Sequence, residues 1–269
     1  MDTVSTTPFA LHSVLGSSRS PLVLDVRREP AYAAEPRLLA GALRPEGDLT
    51  AFTRAHFTGR PVIVYCVRGH EVSQEAAALL AGAGFDASFL QGGLEAWIAE
   101  GLPTIRRKPE WRVPGASRWI TRERPKIDRV ACPWLVRRFI DPAASFEYVP
   151  SAAVESEARA RDAIAYDVPG VAITHRGERC SFDALLENFE LRDPALDQLA
   201  RIVRGADTNR LDLAPQCAGL LAASLGLSSR HADDHAMLAE AMTLYDSLYA
   251  WCRAESRGAV QHHAWNYPS

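Results

Sequence analysis

In the first hundred residues the apolar positions come in short runs separated by helical stretches. Leu22-Val23-Leu24-Asp25-Val26 is a compact run with an acid near its end. Pro61-Val62-Ile63-Val64-Tyr65-Cys66 is a second, β-branched run, and Ala87-Ser88-Phe89-Leu90 a third. Unbroken apolar runs of this length predict strands buried on both faces. Residues 71–81 are rich in alanine and leucine and end at Gly82 and Gly84, which predicts a helix. Gly92-Gly93 turns into another helix over residues 94–100, stopped by Gly101 and Pro103. Strands separated by helices predict a parallel α/β sheet.

The pattern changes over residues 104–117, where Pro109 and Pro114 stand among charges with no clean period. This reads as connecting chain, with the linker proper at 108–117. The second half has helical periodicity. Residues 128–140 (despite Pro133), 182–191, 194–205, 215–225 and 233–252 read as helices. In the last of these, Met237, Leu238, Ala241, Met242, Tyr245, Leu248, Tyr249 and Cys252 recur at three- and four-residue steps. Residues 171–173 and 180–182 predict short extended pieces around the turn Arg176-Gly177-Glu178. The expectation is an α/β domain over 1–107, a linker over 108–117, a mainly α domain over 118–253 and a loosely held tail over 254–269.

Composition narrows the class. The 269 residues are enough for about two domains. With 47% hydrophobic and 23% charged residues, disordered and fibrous classes are excluded. A net charge of −3 exerts no general pull toward nucleic acid or anionic membrane, so neither is expected as a partner. No apolar run reaches about 18 residues, so no membrane-spanning helix is expected. Residues 1–7 lack a basic start and an apolar core, so no secretory leader is expected. The five cysteines are odd in number and widely spaced, which fits free thiols and a cytoplasmic location.

Candidate chemistry begins at Cys66, which ends an apolar strand. Val67-Arg68-Gly69-His70 follows, and a helix starts near Glu71. Such a loop can aim several backbone N–H groups at one centre, and the helix start adds positive potential. Both favour a thiolate. Gly69 permits the tight turn. A stabilised thiolate suits sulfur transfer, in which the cysteine takes a sulfane sulfur, holds it as a persulfide and passes it on. The plain alternative is a buried structural cysteine at a strand end.

Residues 8–103 resemble a rhodanese domain. The pieces that carry the resemblance are Leu24-Asp25-Val26-Arg27, Gly41-Ala42, the Cys66 loop, and Gln91-Gly92-Gly93-Leu94-Glu95-Ala96-Trp97 followed by Gly101-Leu102-Pro103. The resemblance implies Cys66 as the persulfide cysteine, with Arg68, Gly69, His70, Glu71 and Val72 around the substrate and Asp25 and Arg27 as structural support. It implies a small sulfur donor, a thiol or cyanide acceptor, and no cofactor for sulfur transfer. Many rhodaneses carry arginine and then serine at the fifth and sixth positions after the cysteine. This chain has Glu71 and Val72 there, with Ser73 next. Glu71 places negative charge near the sulfur donor and disfavours thiosulfate, with Arg68 available to offset it. Val72 stands where cysteine phosphatases carry an arginine, so phosphatase chemistry is rejected.

In the second half, residues 118–138 hold seven basic and two acidic residues. Asp128 and Cys132 are four apart, on one helical face, with Arg129 beside them. His175 and Cys180 flank a tight turn, and His231 and His235 stand near a helix start. Arginines and helix ends suit an oxyanion, whereas His, Cys and Asp suit a transition metal. A solvated charged face and capping histidines are the plain alternatives, and Cys217 and Cys252 read as core. Residues 119–253 resemble the C-terminal domain of ChrB-type chromate-resistance proteins. The carrying pieces are Thr121 to Leu135 (with Lys126-Ile127-Asp128-Arg129 and Cys132-Pro133-Trp134), His175-Arg176-Gly177 with Cys180-Ser181-Phe182-Asp183, Arg204-Gly205-Ala206-Asp207, Asp233-Asp234-His235 and Tyr249-Ala250-Trp251-Cys252-Arg253. Lys126, Asp128, Arg129, Cys132, His175, Cys180, Asp207 and His235 are expected to converge on one pocket for chromate, another oxyanion or a metal ion. The leading expectation is a sulfurtransferase coupled to that domain. A redox or chromate sensor with a regulatory rhodanese domain is the alternative, and a metal-dependent hydrolase or oxidoreductase a third.

Overall fold

The computed structural model describes residues 4–113 and 115–259. The first half runs β1 (Ser5–Thr6), α1 (Pro8–Val14), β2 (Leu22–Asp25), α2 (Glu29–Ala34), β3 (Arg37–Leu39), β4 (Ala42–Leu43), α3 (Leu49–His56), β5 (Val62–Tyr65), α4 (Glu71–Gly82), β6 (Ala87–Leu90), α5 (Gly93–Ala99) and β7 (Thr104–Arg106). Five strands form a parallel sheet in the order β1-β6-β5-β2-β4. The three apolar runs are its central strands, and every residue of β2 and β5 is buried. Alternate residues feed two cores. Val23, Ile63, Tyr65 and Leu90 meet Leu11, Leu94 and Trp97 of α1 and α5. Leu22, Leu24, Val62 and Val64 meet Ala76, Ala77 and Leu80 of α4. Burial on both faces is why these strands show no polar alternation.

The second half adds β8 (Arg118–Arg122), α6 (Asp128–Leu135), β9 (Ser145–Val149), α7 (Val154–Arg161), β10 (Ile164–Ala165), α8 (Ser181–Asn188), α9 (Pro194–Asp207), α10 (Cys217–Arg230) and α11 (Asp234–Ser256). It is helix-rich, as expected, but it also contains a three-stranded parallel sheet, β10-β8-β9. β8 and β9 carry arginine, glutamate and serine among their apolar residues, and β10 is two residues long, so their pattern does not announce them. The extended pieces expected at 171–173 and 180–182 are absent as strands: Ile173 makes a single bridge to Tyr166, and Cys180 caps α8. Residues 254–256, read as the start of a tail, are the last turn of α11, and 260–269 lie outside the described residues.

The expected helix over 128–140 is one continuous segment of two kinds. α6 gives way to a wider π turn at Val136–Ile140. Pro133 cannot donate to the carbonyl of Arg129. The Tyr166 hydroxyl donates to that carbonyl instead, at 3.1 Å.

The stretch read as connecting chain is firmly held. β7 pairs antiparallel with β3, and Ile105 and Val113 are buried in the large core of the second half together with Leu38 and Ala40. Arg253 of α11 donates to the carbonyls of His12, Ser13 and Leu15 at the end of α1. The backbone N–H of Gly41 donates to the carbonyl of Phe139 at 2.6 Å. The two halves therefore share an apolar and hydrogen-bonded seam.

Candidate functional sites

Cys66 follows β5 and lies in an open depression lined by Arg27, Arg28, Ala31, Val67, Arg68, His70, Glu71, Val72 and Gln74. It is 6% exposed, and the other four cysteines are 1% or less. The loop is fixed from behind by the start of α5: the N–H groups of Leu94 and Glu95 donate to the carbonyls of Cys66 and Val67, each at 3.0 Å. Two glycines make this approach fit. Gly69 has φ +72°, and a Cβ there would sit 2.8 Å from the Gly92 nitrogen. Gly93 has φ +58°, and a Cβ there would collide with the Cys66 carbonyl oxygen. Left-handed backbone and close contact both call for glycine.

Burial works to raise the Cys66 pKa. The Ser73 hydroxyl (3.2 Å from Sγ) and the backbone N–H groups of Arg68, His70 and Ser73 outweigh it, and the net shift is downward. Donors aimed at a sulfur favour its anionic form. Asp25 and Arg27 brace the floor. Both side chains are fully buried and pair at 2.6 Å, and the Tyr65 hydroxyl donates to Asp25 at 2.9 Å. Arg27 also donates to the carbonyls of Glu35 and Arg37, each at 3.1 Å, which ties α2 and β3 to the end of β2.

A second cluster lies wholly in the other half. Nε2 of His175 is 3.1 Å from Asp128, 3.1 Å from Asp207 and 3.3 Å from Asp167. Asp128 is the first residue of α6, after Ile127 at φ +41°. A β-branched residue there is strained, and the Tyr245 hydroxyl holds its carbonyl at 2.8 Å. Asp207 ends α9, and Asp167, at φ +52°, follows β10. Arg122 and Arg129 reach Asp167 at 2.8 and 3.2 Å, and the Ser181 hydroxyl donates to it at 2.8 Å. The hydrogen bond to Asp128 holds the His175 pKa up at about 9. Burial, then the charge of Asp128, raises Asp207 to about 7.

Comparison with known families places both halves. Residues 11–100 match the family model of the rhodanese-like domain, and residues 119–252 that of the C-terminal domain of ChrB. The chain is a rhodanese-like domain fused to a ChrB C-terminal domain. The ChrB-type half is 37% identical over 132 residues to Protein ChrB of Cupriavidus metallidurans, a match over 49% of this chain and 39% of that protein. The chain thus spans about two fifths of the length of the curated relative it matches. The rhodanese-like half aligns with a protein of Bacillus halodurans at 25% identity and TM-score 0.34, over 38% of this chain and 76% of that one. It also aligns with a thiosulfate sulfurtransferase from Pseudomonas aeruginosa at 28% identity and TM-score 0.33, over 38% and 19% of the two chains.

In the rhodanese-like domain, the residues expected around the substrate surround Cys66. The exception in role is Arg68, whose guanidinium pairs with Glu95 at 3.0 Å instead of facing Glu71. Ser73, the nearest side-chain donor to the sulfur, had no role in the sequence reading. Its position one residue late was the available signal.

In the ChrB-type domain, Asp128, Arg129, His175 and Asp207 come together. Cys132 and Cys180 are buried near them, with their thiol pKa values pushed up first by burial and then by Asp128. Cys180 chiefly caps α8, where its N–H donates to Asp183 at 3.0 Å. Two expected members do not join. Lys126 lines a small crevice with Val130, Ser224 and Tyr245, and the His235 ring packs edge-on against Tyr148 at 5.4 Å. Asp167 and Ser181 were missed because nothing local marks them.

Proposed function

We propose that the protein is a sulfurtransferase that carries sulfane sulfur on Cys66, within a chain that also bears a chromate-resistance-type domain. The observation that carries this reading is a cysteine on the floor of an open depression, with the Ser73 hydroxyl 3.2 Å from its sulfur and its pKa drawn down by that hydroxyl and by the backbone N–H groups of its loop. The Cys66 thiolate attacks the outer sulfur of the donor and forms an S–S bond. The bond joining that sulfur to the donor breaks, and its electron pair leaves with the donor, as sulfite from thiosulfate or a thiolate from a persulfide. A nucleophilic acceptor, cyanide or a thiol, then takes the outer sulfur, and the electron pair of the S–S bond returns to Cys66. The acceptor comes from outside the chain, because the other four thiols are 1% exposed or less and none lines the depression around Cys66. Chromate resembles sulfate in charge and shape, so a site handling sulfur oxyanions is one that chromate can meet.

The test is sulfur transfer from thiosulfate, mercaptopyruvate and glutathione persulfide to cyanide or a small thiol, in the full chain and in Cys66→Ser. Activity in the wild type and its loss in the variant are expected. No transfer from any donor, or activity surviving in Cys66→Ser, overturns the proposal and returns the rhodanese-like domain to a sensory role.

A further inference from the structure

One ring nitrogen in the ChrB-type domain faces three carboxylates. An imidazole nitrogen carries at most one proton, so His175 Nε2 can serve only one of Asp128, Asp167 and Asp207 by hydrogen bonding. Asp167 has Arg122 and Arg129 to balance it. Among the described residues Asp128 has, besides His175, the N–H of Ser181 at 3.2 Å and no arginine or lysine. Asp207 meets no arginine or lysine among the described residues. One buried carboxylate, Asp128, and one half-buried one, Asp207, are thus left sharing one histidine.

We propose that Asp128, His175 and Asp207 hold a divalent first-row transition-metal ion, with Asp167 Oδ1 as a fourth donor. One donor atom from each of the three lies within 4.8 Å of the others. Donors about 2.1 Å from an ion and at right angles to each other stand about 3.0 Å apart, which is the spacing seen around Nε2. Oxygen donors with one imidazole suit manganese, iron or zinc in the +2 state. A separate feature points to the same centre. Cys132, one turn after Asp128 on the same face of α6, is fully buried and has no hydrogen-bond partner among the described residues. His175 is 40% exposed, so an ion can enter from solvent and keep open positions for water or substrate. The elements are built for this convergence: the strained Ile127 aims the start of α6, and the end of α9 and the loop after β10 supply the other acids.

The site is independent of Cys66, so its test is too. The full chain, stripped with a chelator and dialysed, is titrated with Mn2+, and free ion is read by electron paramagnetic resonance. One bound Mn2+ per chain is expected. Changing the groups that merely orient ligands commonly weakens binding 10–100-fold, so His175→Ala and Asp207→Asn should each weaken it by at least about 100-fold. Asp212→Asn, at an exposed acid paired only with arginine, should leave binding unchanged. Metal should also raise the thermal midpoint of the wild type, and should leave that of His175→Ala where it stands without metal. Failure of the wild type to bind Mn2+, Co2+ or Zn2+ near stoichiometry, or binding that is equal in His175→Ala, overturns the proposal.

Discussion

Ser73→Ala isolates one donor to the Cys66 sulfur. The Ser73 oxygen is 3.2 Å from Sγ and 3.1 Å from the His70 carbonyl. A hydroxyl has one proton, so facing a thiolate means releasing that carbonyl. Hydrogen bonds to charged groups are worth about 1.5–3 kcal/mol, and the lost carbonyl bond brings the net down to about 1 kcal/mol. At about 1.36 kcal/mol per unit, the Cys66 pKa should rise by about 0.7. The backbone donors remain, so the rise should be no more than that of one group. Below both pKa values the variant should react about fivefold more slowly, and above them at the wild-type rate. Iodoacetamide alkylation against pH measures this, and the deeper burial and raised pKa values of the other cysteines keep the signal specific. An unmoved midpoint refutes the reasoning. A downward shift shows that the hydroxyl accepts from the neutral thiol rather than donating to the thiolate.

The native chain should take up one alkyl group at pH 8 and five in denaturant, read by mass spectrometry, because burial pushes Cys252 up to about 12 and raises Cys132 and Cys180 as well; two or more labels on the folded chain would contradict this. Asp25→Ala leaves the Arg27 guanidinium buried without its partner and should cost about 3–5 kcal/mol in denaturant unfolding, whereas a loss under about 1 kcal/mol would mean the pair is not the brace described. Gly93→Ala forces a methyl group against the Cys66 carbonyl in left-handed backbone, and should abolish sulfur transfer while costing about 1–3 kcal/mol, an expectation that unchanged turnover defeats. Glu71→Gln removes a charge worth about 1 kcal/mol at the rim, so kcat/KM for thiosulfate should rise about fivefold relative to a less charged persulfide donor; equal gains with both donors would remove Glu71 as the selector.

Where a signal is local, the sequence carried it. Runs such as Val62-Ile63-Val64 name strands because both faces are buried. Gly69 and Gly93 mark the Cys66 loop because only that residue type suits those backbone angles and contacts. The long helix α11 declared itself by its three- and four-residue steps. The strands β8 and β9 did not, since polar residues interrupt both: Arg118, Thr121 and Arg122 in one, Ser145 and Glu147 in the other.

The amino-acid sequence by itself determined two domain types and the central strands, and singled out Cys66 among five cysteines. Only the tertiary structure decided which donors surround that cysteine and which acids meet His175. Asp128 and His175 stand 47 residues apart, and Asp167 looks in sequence like any loop acid. Periodicity reports which face of an element is buried. The meeting of the start of one helix with the end of another and the loop that follows β10 depends on how those elements pack, and residue spacing along the chain does not encode it.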